Sequence, residues 1–120
     1  MDTRLILVEG CPGVGKSSTA QHLWRQLQRA GHPCRWFSQQ EQPHPVAATK
    51  GIVRAKGFKE YGTAALRRWR DFASRARRSK EIVVMEGHFF QQLISPLLRA
   101  DVKPARISKV ITRMAQFCAP

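Results

Sequence analysis

Eight residues near the amino terminus, Gly10–Ser17, constrain the fold of this chain more than any other segment. They read Gly-Cys-Pro-Gly-Val-Gly-Lys-Ser, and glycine reaches backbone torsions that are closed to other residues, so the segment can curl tightly. A short, mostly apolar run, Arg4–Glu9, precedes it. An amphipathic helix, predicted from about Lys16 to Ala30, follows it. The sequence therefore predicts a strand, a tight loop and a helix in direct succession.

The loop matches the phosphate-binding pattern G-x-x-x-x-G-K-[ST] in full. In such a loop the backbone N–H groups point at an anion, and the helix N-terminus adds partial positive charge. We expect Lys16 to reach the β- and γ-phosphates of ATP and the Ser17 hydroxyl to ligate Mg²⁺. The alternative is a glycine-rich turn with an unrelated lysine. The predicted nucleotide-binding residues are Gly10, Cys11, Pro12, Gly13, Val14, Gly15, Lys16, Ser17 and Ser18.

An acidic residue, Glu86, ends the apolar run Ile82–Met85. In phosphate-loop proteins, a carboxylate at such a strand end can hold magnesium or its water shell. We predict this role for Glu86; the alternative is an ordinary solvated carboxylate. Glu9 and His88 also lie close to the predicted site in sequence, but structural roles are favoured for both.

The remaining pattern alternates strands with helices. Continuous apolarity in Arg4–Glu9 and Ile82–Met85 predicts strands that are buried in a parallel sheet, and Pro33–Ser38 is predicted to form another strand between them in sequence. The predicted class is α/β, a three-layer arrangement with a short parallel sheet of about three strands flanked by helices. The length fits a single domain over residues 1–120.

The helices after the second strand are less regular in sequence. Three glycines interrupt residues 46–62, where we expect short helical turns, and Thr63 is predicted to cap a helix that ends near Arg78. A mixed helical or turn region is expected from His88 to Ala100. Pro104 is predicted to open a last helix with one apolar face, made of Ile107, Val110, Ile111 and Met114.

The charge balance is strongly basic, with 21 Lys and Arg against 8 Asp and Glu and a net charge of +13. Such an excess attracts polyanions. A basic surface on an ATP-binding chain is the favoured interpretation; a nucleic-acid partner is the alternative, although no Arg-Gly repeat, zinc spacing or aromatic RNA-binding signature supports it. The helix near residue 70 has a basic face that we expect to be mostly solvated: Arg67, Arg68, Arg70, Arg75, Arg77 and Arg78.

Cys11, Cys34 and Cys118 are widely spaced, which fits neither a disulfide framework nor a metal site. The amino terminus lacks the long apolar stretch of a signal peptide, and no segment approaches membrane-spanning length. We therefore expect a cytoplasmic protein without a membrane partner.

Several stretches resemble phosphate-loop kinases of the nucleoside and nucleotide kinase kind, and in particular an uncharacterised bacterial branch of that group. The opening V-E-G-C-P-G-V-G-K-S-S-T-A-Q is the most specific, followed by R-W-F-S-Q-Q-E-Q-P-H-P-V, R-W-R-D-F-A-S-R-A and I-V-V-M-E-G-H-F-F-Q. The similarity extends to about Leu98. It implies a P-loop NTPase fold and phosphoryl transfer from Mg-ATP to a small nucleoside-like or nucleotide-like acceptor.

The resemblance also implies catalytic roles for Lys16, Glu41 and Glu86. In deoxynucleoside kinases an acidic residue at the end of the second strand is the base for the acceptor hydroxyl. The matching stretch here is Gln39-Gln40-Glu41, so either the base is missing or Glu41 replaces it. Kinases of this group continue with another strand and an arginine-bearing lid, which we expect this chain to lack. The sheet edge so exposed would permit self-association.

Three functional hypotheses follow. The first, which we favour, is a small-molecule kinase. The second is an ATP-binding module with little or no phosphoryl transfer, suggested by the glutamine pair and the expected absence of a lid. The third is a nucleic-acid-associated NTPase, which depends only on the charge.

Overall fold

The computed structural model describes residues 4–11, 13–40, 44–46, 50–89 and 93–119, with side chains described for all of these except 50–60. Strands and helices alternate along them in this order: β1 (Leu5–Val8), α1 (Lys16–Arg29), β2 (Cys34–Phe37), α2 (Lys50–Arg78), β3 (Ile82–Glu86), α3 (Ser95–Arg99) and α4 (Pro104–Cys118). The chain is thus mixed α/β with a small three-stranded parallel sheet flanked by helices, as the sequence predicts at this level.

The sheet has the order β1-β3-β2, so β3 is its central strand and α1 crosses from one outer strand to the other. In this register Val8 is paired with Glu86, and the Gly87 N–H donates to the Val8 carbonyl at 2.9 Å. Because all three strands are parallel, their carboxyl ends meet at one edge. This is the edge at which ligands bind in open α/β sheets.

Every residue of β3 is buried, which explains its unbroken apolar sequence. The prediction of a buried strand is wrong for β1, whose residues are only half-buried because it is an outer strand of the sheet. Successive side chains of a strand point to opposite faces. Ile82 and Val84 accordingly pack in one cluster with Ala20 and Leu27 of α1. Val83 and Met85 belong to the larger cluster on the other face, which α2 and α4 cover.

Helix α2 is one continuous helix of 29 residues, Lys50–Arg78. The predicted breaks at Gly51, Gly57 and Gly62 and the predicted start at Thr63 are therefore wrong. A glycine in a helix interior costs only about 1 kcal/mol relative to alanine. Extending an existing helix adds one hydrogen bond per residue without a new nucleation step, so a long helix tolerates this cost.

The apolar stripes of α2 and α4 face each other over the sheet. On α2, Trp69 and Phe72 are buried in a T-shaped contact with ring centroids 6.2 Å apart. The sequence predicts four residues on the apolar face of α4. Ile107, Val110 and Met114 are buried as predicted, whereas Ile111 is 38% exposed. At about 100° per residue, Ile111 lies at the margin of this stripe, which explains its exposure.

The described part of the segment after β3, residues 88–89 and 93–100, is mixed, as the sequence predicts. It contains the short helix α3, with Pro96 in its first turn, where the missing proline N–H is tolerated. Among the described residues, none of the helices combines the length and the apolar character needed to cross a bilayer.

Candidate functional site

The Gly10–Ser17 loop lies at the carboxyl edge of the sheet, between β1 and α1. Gly15 is the N-cap of α1 and has φ 97°, a left-handed conformation that favours glycine. No side chain caps this helix N-terminus. Its first N–H groups and the positive end of the helix dipole therefore suit an anion. Pro12 lies outside the described residues.

Lys16 is the first residue of α1 and is only 8% exposed. Its ammonium Nζ donates to the carbonyl of Gly10 at 3.0 Å and to the carbonyl of Cys11 at 3.3 Å. The side chain therefore folds back across the loop. The carbonyls of Gly10 and Cys11 therefore hold the positive charge close to the loop that precedes α1.

Glu86, the last residue of β3, is 3% exposed, so it is not a solvated carboxylate. Both of its oxygens accept hydrogen bonds: Oε1 from the Ser17 hydroxyl, and Oε2 from the Trp36 indole Nε1 at 3.2 Å. The two predicted magnesium ligands are thus in direct contact, although 69 positions separate them in the chain. The carboxylate has one fixed orientation because a donor from a different element holds each oxygen.

Sequence reasoning missed Trp36. In β2 it is paired with Val84, two residues before Glu86, and therefore lies on the same face of the sheet. Its ring also packs against Trp24 of α1, with centroids 6.0 Å apart. An indole N–H near the carboxyl end of a strand is the signal that could have identified it. Recognising that signal required knowing that β2 is a neighbour of β3.

These residues surround a cleft of about 520 Å³. Its lining consists of Gly13, Gly15, Lys16, Ser17, Ser18, Gln39, Gln40 and Glu86. Six of these residues belong to the predicted site, and Gly10 and Cys11 contact its lysine. Val14 is 67% exposed and does not line the cleft. The predicted base Glu41 lies outside the described residues.

Gly87 is a further residue that the sequence analysis did not assign to the site. Its φ of 70° is left-handed, and a Cβ atom built there would lie 2.7 Å from Gln39 Oε1 and 3.3 Å from Lys16 Cε. A side chain at this position would therefore push both groups away. Because Gly87 has no side chain, Gln39, which follows β2, and Lys16 can both lie close to it.

The other two polar residues near the site have structural contacts. Glu9 Oε1 accepts a hydrogen bond from the Phe89 N–H at 2.9 Å. His88 is buried, with its Nε2 2.9 Å from the Gln39 carbonyl oxygen, and its ring stacks on His44 at a centroid distance of 3.4 Å. Burial lowers the pKa of His88, and burial together with the neighbouring His88 lowers the pKa of His44 to about 4.

The oxygen atoms of the cleft suit magnesium. Mg²⁺ prefers hard oxygen ligands and takes only one or two from the protein, with water and phosphate oxygens completing its shell. Ser17 and Glu86 supply such a pair. Nowhere in the described part of the chain, the cleft included, do three His, Cys, Asp or Glu side chains come together in a way that could hold a metal.

Comparison of the chain with protein-family models, with curated proteins and with solved structures found no match.

Proposed function

We propose that this chain has a P-loop NTPase fold, binds Mg-ATP in the cleft at Lys16, and transfers the γ-phosphoryl group to a small nucleoside-like or nucleotide-like acceptor. One observation carries the proposal: Ser17 and Glu86, distant in sequence, are in contact in the cleft that the buried residue Lys16 also lines. Amides, a cation and two hard oxygens at one strand edge match the requirements of a magnesium triphosphate.

Lys16 has the central role in nucleotide binding. Its present acceptors, the carbonyls of Gly10 and Cys11, are neutral, so a phosphate oxygen would form a stronger, charge-assisted hydrogen bond. Burial would strengthen this interaction further, because water screens it less than at an exposed site. The β- and γ-phosphates would lie between this ammonium and the N-terminus of α1.

Ser17 and Glu86 would hold the metal, with Glu86 acting directly or through a water molecule. Bound Mg²⁺ would neutralise phosphate charge as the bond to the leaving group breaks. The protein fixes the ligands in advance, because the indole of Trp36 orients Glu86 from the side remote from Ser17. The direct Ser17–Glu86 hydrogen bond would open to admit the ion.

The acceptor would enter beside Gln39 and Gln40, which line the same cleft at the end of β2. The cleft volume of about 520 Å³ falls within the range of small-molecule sites. In the transfer, the acceptor oxygen forms a bond to the γ-phosphorus as the bond to the ADP oxygen breaks. The acceptor's proton passes to a base, for which the resemblance suggests Glu41.

Two measurements test this function: calorimetric binding of Mg-ATP, and a coupled assay of ADP release with nucleosides, nucleotides and small alcohols. We expect wild-type protein to bind Mg-ATP and Lys16→Ala to lose turnover entirely. Lys80→Ala, which removes an exposed lysine, is the matched control and should behave as wild type. If wild-type protein does not bind Mg-ATP, the proposal is wrong.

A second candidate is an ATP-binding module without transfer. The observation that favours it is the pair Gln39 and Gln40 at the mouth of the cleft, since an amide cannot accept a proton as a carboxylate does. Tight Mg-ATP binding with turnover no higher than that of Lys16→Ala would support the module. Loss of measurable turnover in Glu41→Gln, with ATP affinity unchanged, would support the kinase.

A further inference from the structure

A second concave surface lies on the opposite face of the sheet from α1, between α2 and α4. This basic groove has a volume of about 330 Å³ and shares no lining residue with the cleft at Lys16. Five cationic side chains line it: Arg67, Arg70, Arg106, Lys109 and Arg113. Neither ATP binding nor phosphoryl transfer makes use of them.

The fold does not need these charges. All five side chains are exposed, and the ion pair that involves one of them, Arg70 with Asp71 at 3.6 Å, is 60% exposed on both sides and therefore contributes little. On α4, Arg106, Lys109 and Arg113 follow each other at helical spacing, where like charges repel. Repulsion among these cations disfavours the folded chain, and a bound anion would relieve it.

The arrangement suits a row of phosphates better than a single one. With a rise of about 1.5 Å per residue, the three α4 cations extend over about 10 Å along the groove. Four of the five cations are arginines. Their planar guanidinium groups bind phosphate oxygens through paired hydrogen bonds. The positive surface also continues beyond the groove along α2, where Arg68, Arg75 and Arg78 are exposed.

Apolar atoms lie between the cations. Leu66, Val110 and Phe117 contribute to the wall of the groove. At one end the groove adjoins a smaller recess of about 190 Å³, lined in part by Leu97 and Val102. Aromatic and aliphatic surface next to a basic track is the combination with which proteins bind unpaired bases. A paired duplex would present phosphates alone and would leave this surface unused.

We propose that the basic groove between α2 and α4 binds a single-stranded nucleic acid, with its phosphates on the five cations and its bases against the apolar wall. RNA and DNA share this chemistry. The inference is independent of the proposed phosphoryl transfer, since the cleft lies at the carboxyl edge of the sheet and shares no lining residue with the groove.

Fluorescence anisotropy with labelled 20-nucleotide oligo-uridine and oligo-thymidine tests the proposal. The groove variant is the triple change Arg106→Gln, Lys109→Gln, Arg113→Gln. Its matched control removes three exposed cations elsewhere, by Arg25→Gln, Arg29→Gln and Lys80→Gln. Circular dichroism and thermal melting of each variant verify folding.

We expect wild-type protein to bind at least one of the two oligonucleotides. Losing three phosphate contacts should reduce affinity about tenfold or more near 0.1 M salt and lower the slope of log K against log salt by about 2. The control should lose less than about threefold, and Lys16→Ala should bind as wild type does. Phe117→Leu should weaken binding about fivefold without changing the salt slope, because it removes stacking only.

Three results would overturn the proposal. Equal losses in the groove variant and its control would mean that diffuse charge alone attracts the strand. Tighter binding to a duplex than to either single strand would exclude the role of the apolar wall. Stronger binding to vesicles containing phosphatidylserine, lost in the groove variant, would identify the groove as a membrane-surface site. None of these results bears on Mg-ATP binding.

Discussion

The cleft at Lys16 and the groove between α2 and α4 both offer positive charge to an anion, but they hold it differently. In the cleft, one ammonium is buried and bonded to two loop carbonyls, and the neighbouring carboxylate of Glu86 is fixed at both oxygens. In the groove, five cationic side chains are exposed. Buried, pre-oriented charges are screened little by salt, whereas exposed charges are screened strongly. Anion affinity should therefore depend mainly on single residues at the cleft and on the total positive charge at the groove.

The largest effect should come from Lys16→Met. Loss of a buried charge-assisted hydrogen bond costs about 3 kcal/mol, so Mg-ATP affinity should fall about 100-fold. The loss should be nearly the same at 50 and 300 mM salt. Arg70→Met in the groove should change ATP affinity by less than about twofold. Calorimetry at both salt concentrations measures the loss of ATP affinity in each variant. A loss in Lys16→Met that depends strongly on salt would contradict the difference drawn between the two sites.

The stacked histidines next to the cleft should make stability depend on pH. Burial and the neighbouring His88 lower the pKa of His44 from 6.5 to about 4, so the unfolded chain binds more protons than the folded chain between these values. Stability should therefore fall as pH drops from 6.5 to 4, by up to about 3 kcal/mol.

Urea unfolding at pH 7, 6 and 5 measures this dependence. His44→Phe should reduce the slope, because the phenyl ring cannot be protonated and the lowered pKa of His88 alone then contributes. His22→Gln, a change at an exposed histidine of α1, should leave the profile as in wild type. A wild-type slope that persists in His44→Phe would exclude His44 as its source.

Gly87→Ala should lower the free energy of unfolding by about 2 kcal/mol. The new side chain would combine a left-handed backbone with a close contact to Gln39. Gly31→Ala is a matched control: its φ of 84° is also left-handed, but a Cβ there meets nothing within 4 Å. We expect the control to cost about 1 kcal/mol and to leave Mg-ATP affinity unchanged. Thermal melting and calorimetry on both variants separate backbone strain from the contact; identical behaviour would show that the contact is irrelevant.

The smallest effect should come from Trp36→Phe, which removes the indole donor to Glu86 but keeps most of the ring. Loss of this hydrogen bond should cost about 1 kcal/mol, or about fivefold in Mg-ATP affinity. The deficit should shrink at high magnesium concentration, because excess metal offsets a poorly oriented ligand. Trp24→Phe, which removes a bond to the Cys34 carbonyl instead, should not show this magnesium dependence.

Much of the candidate site could be predicted because its signals are local. The glycines and Lys16 are neighbours in sequence, and the apolar runs mark β1 and β3 directly. Helix α2 could not be bounded in the same way. Its glycines are stop signals in isolation, but a long helix already in place absorbs their cost.

The sequence by itself determined the loop, the three strands, and helices α1 and α4, because backbone torsions and apolar periodicity depend on residues close together in the chain. Only the tertiary structure decided that Trp36 and Ser17 both donate to the Glu86 carboxylate. The same holds for the stacking of His44 on His88 and for the basic groove between α2 and α4. Each of these contacts follows from the strand order β1-β3-β2 and from which helices cover each face. That order is set by the packing of whole elements against one another, which no local pattern records.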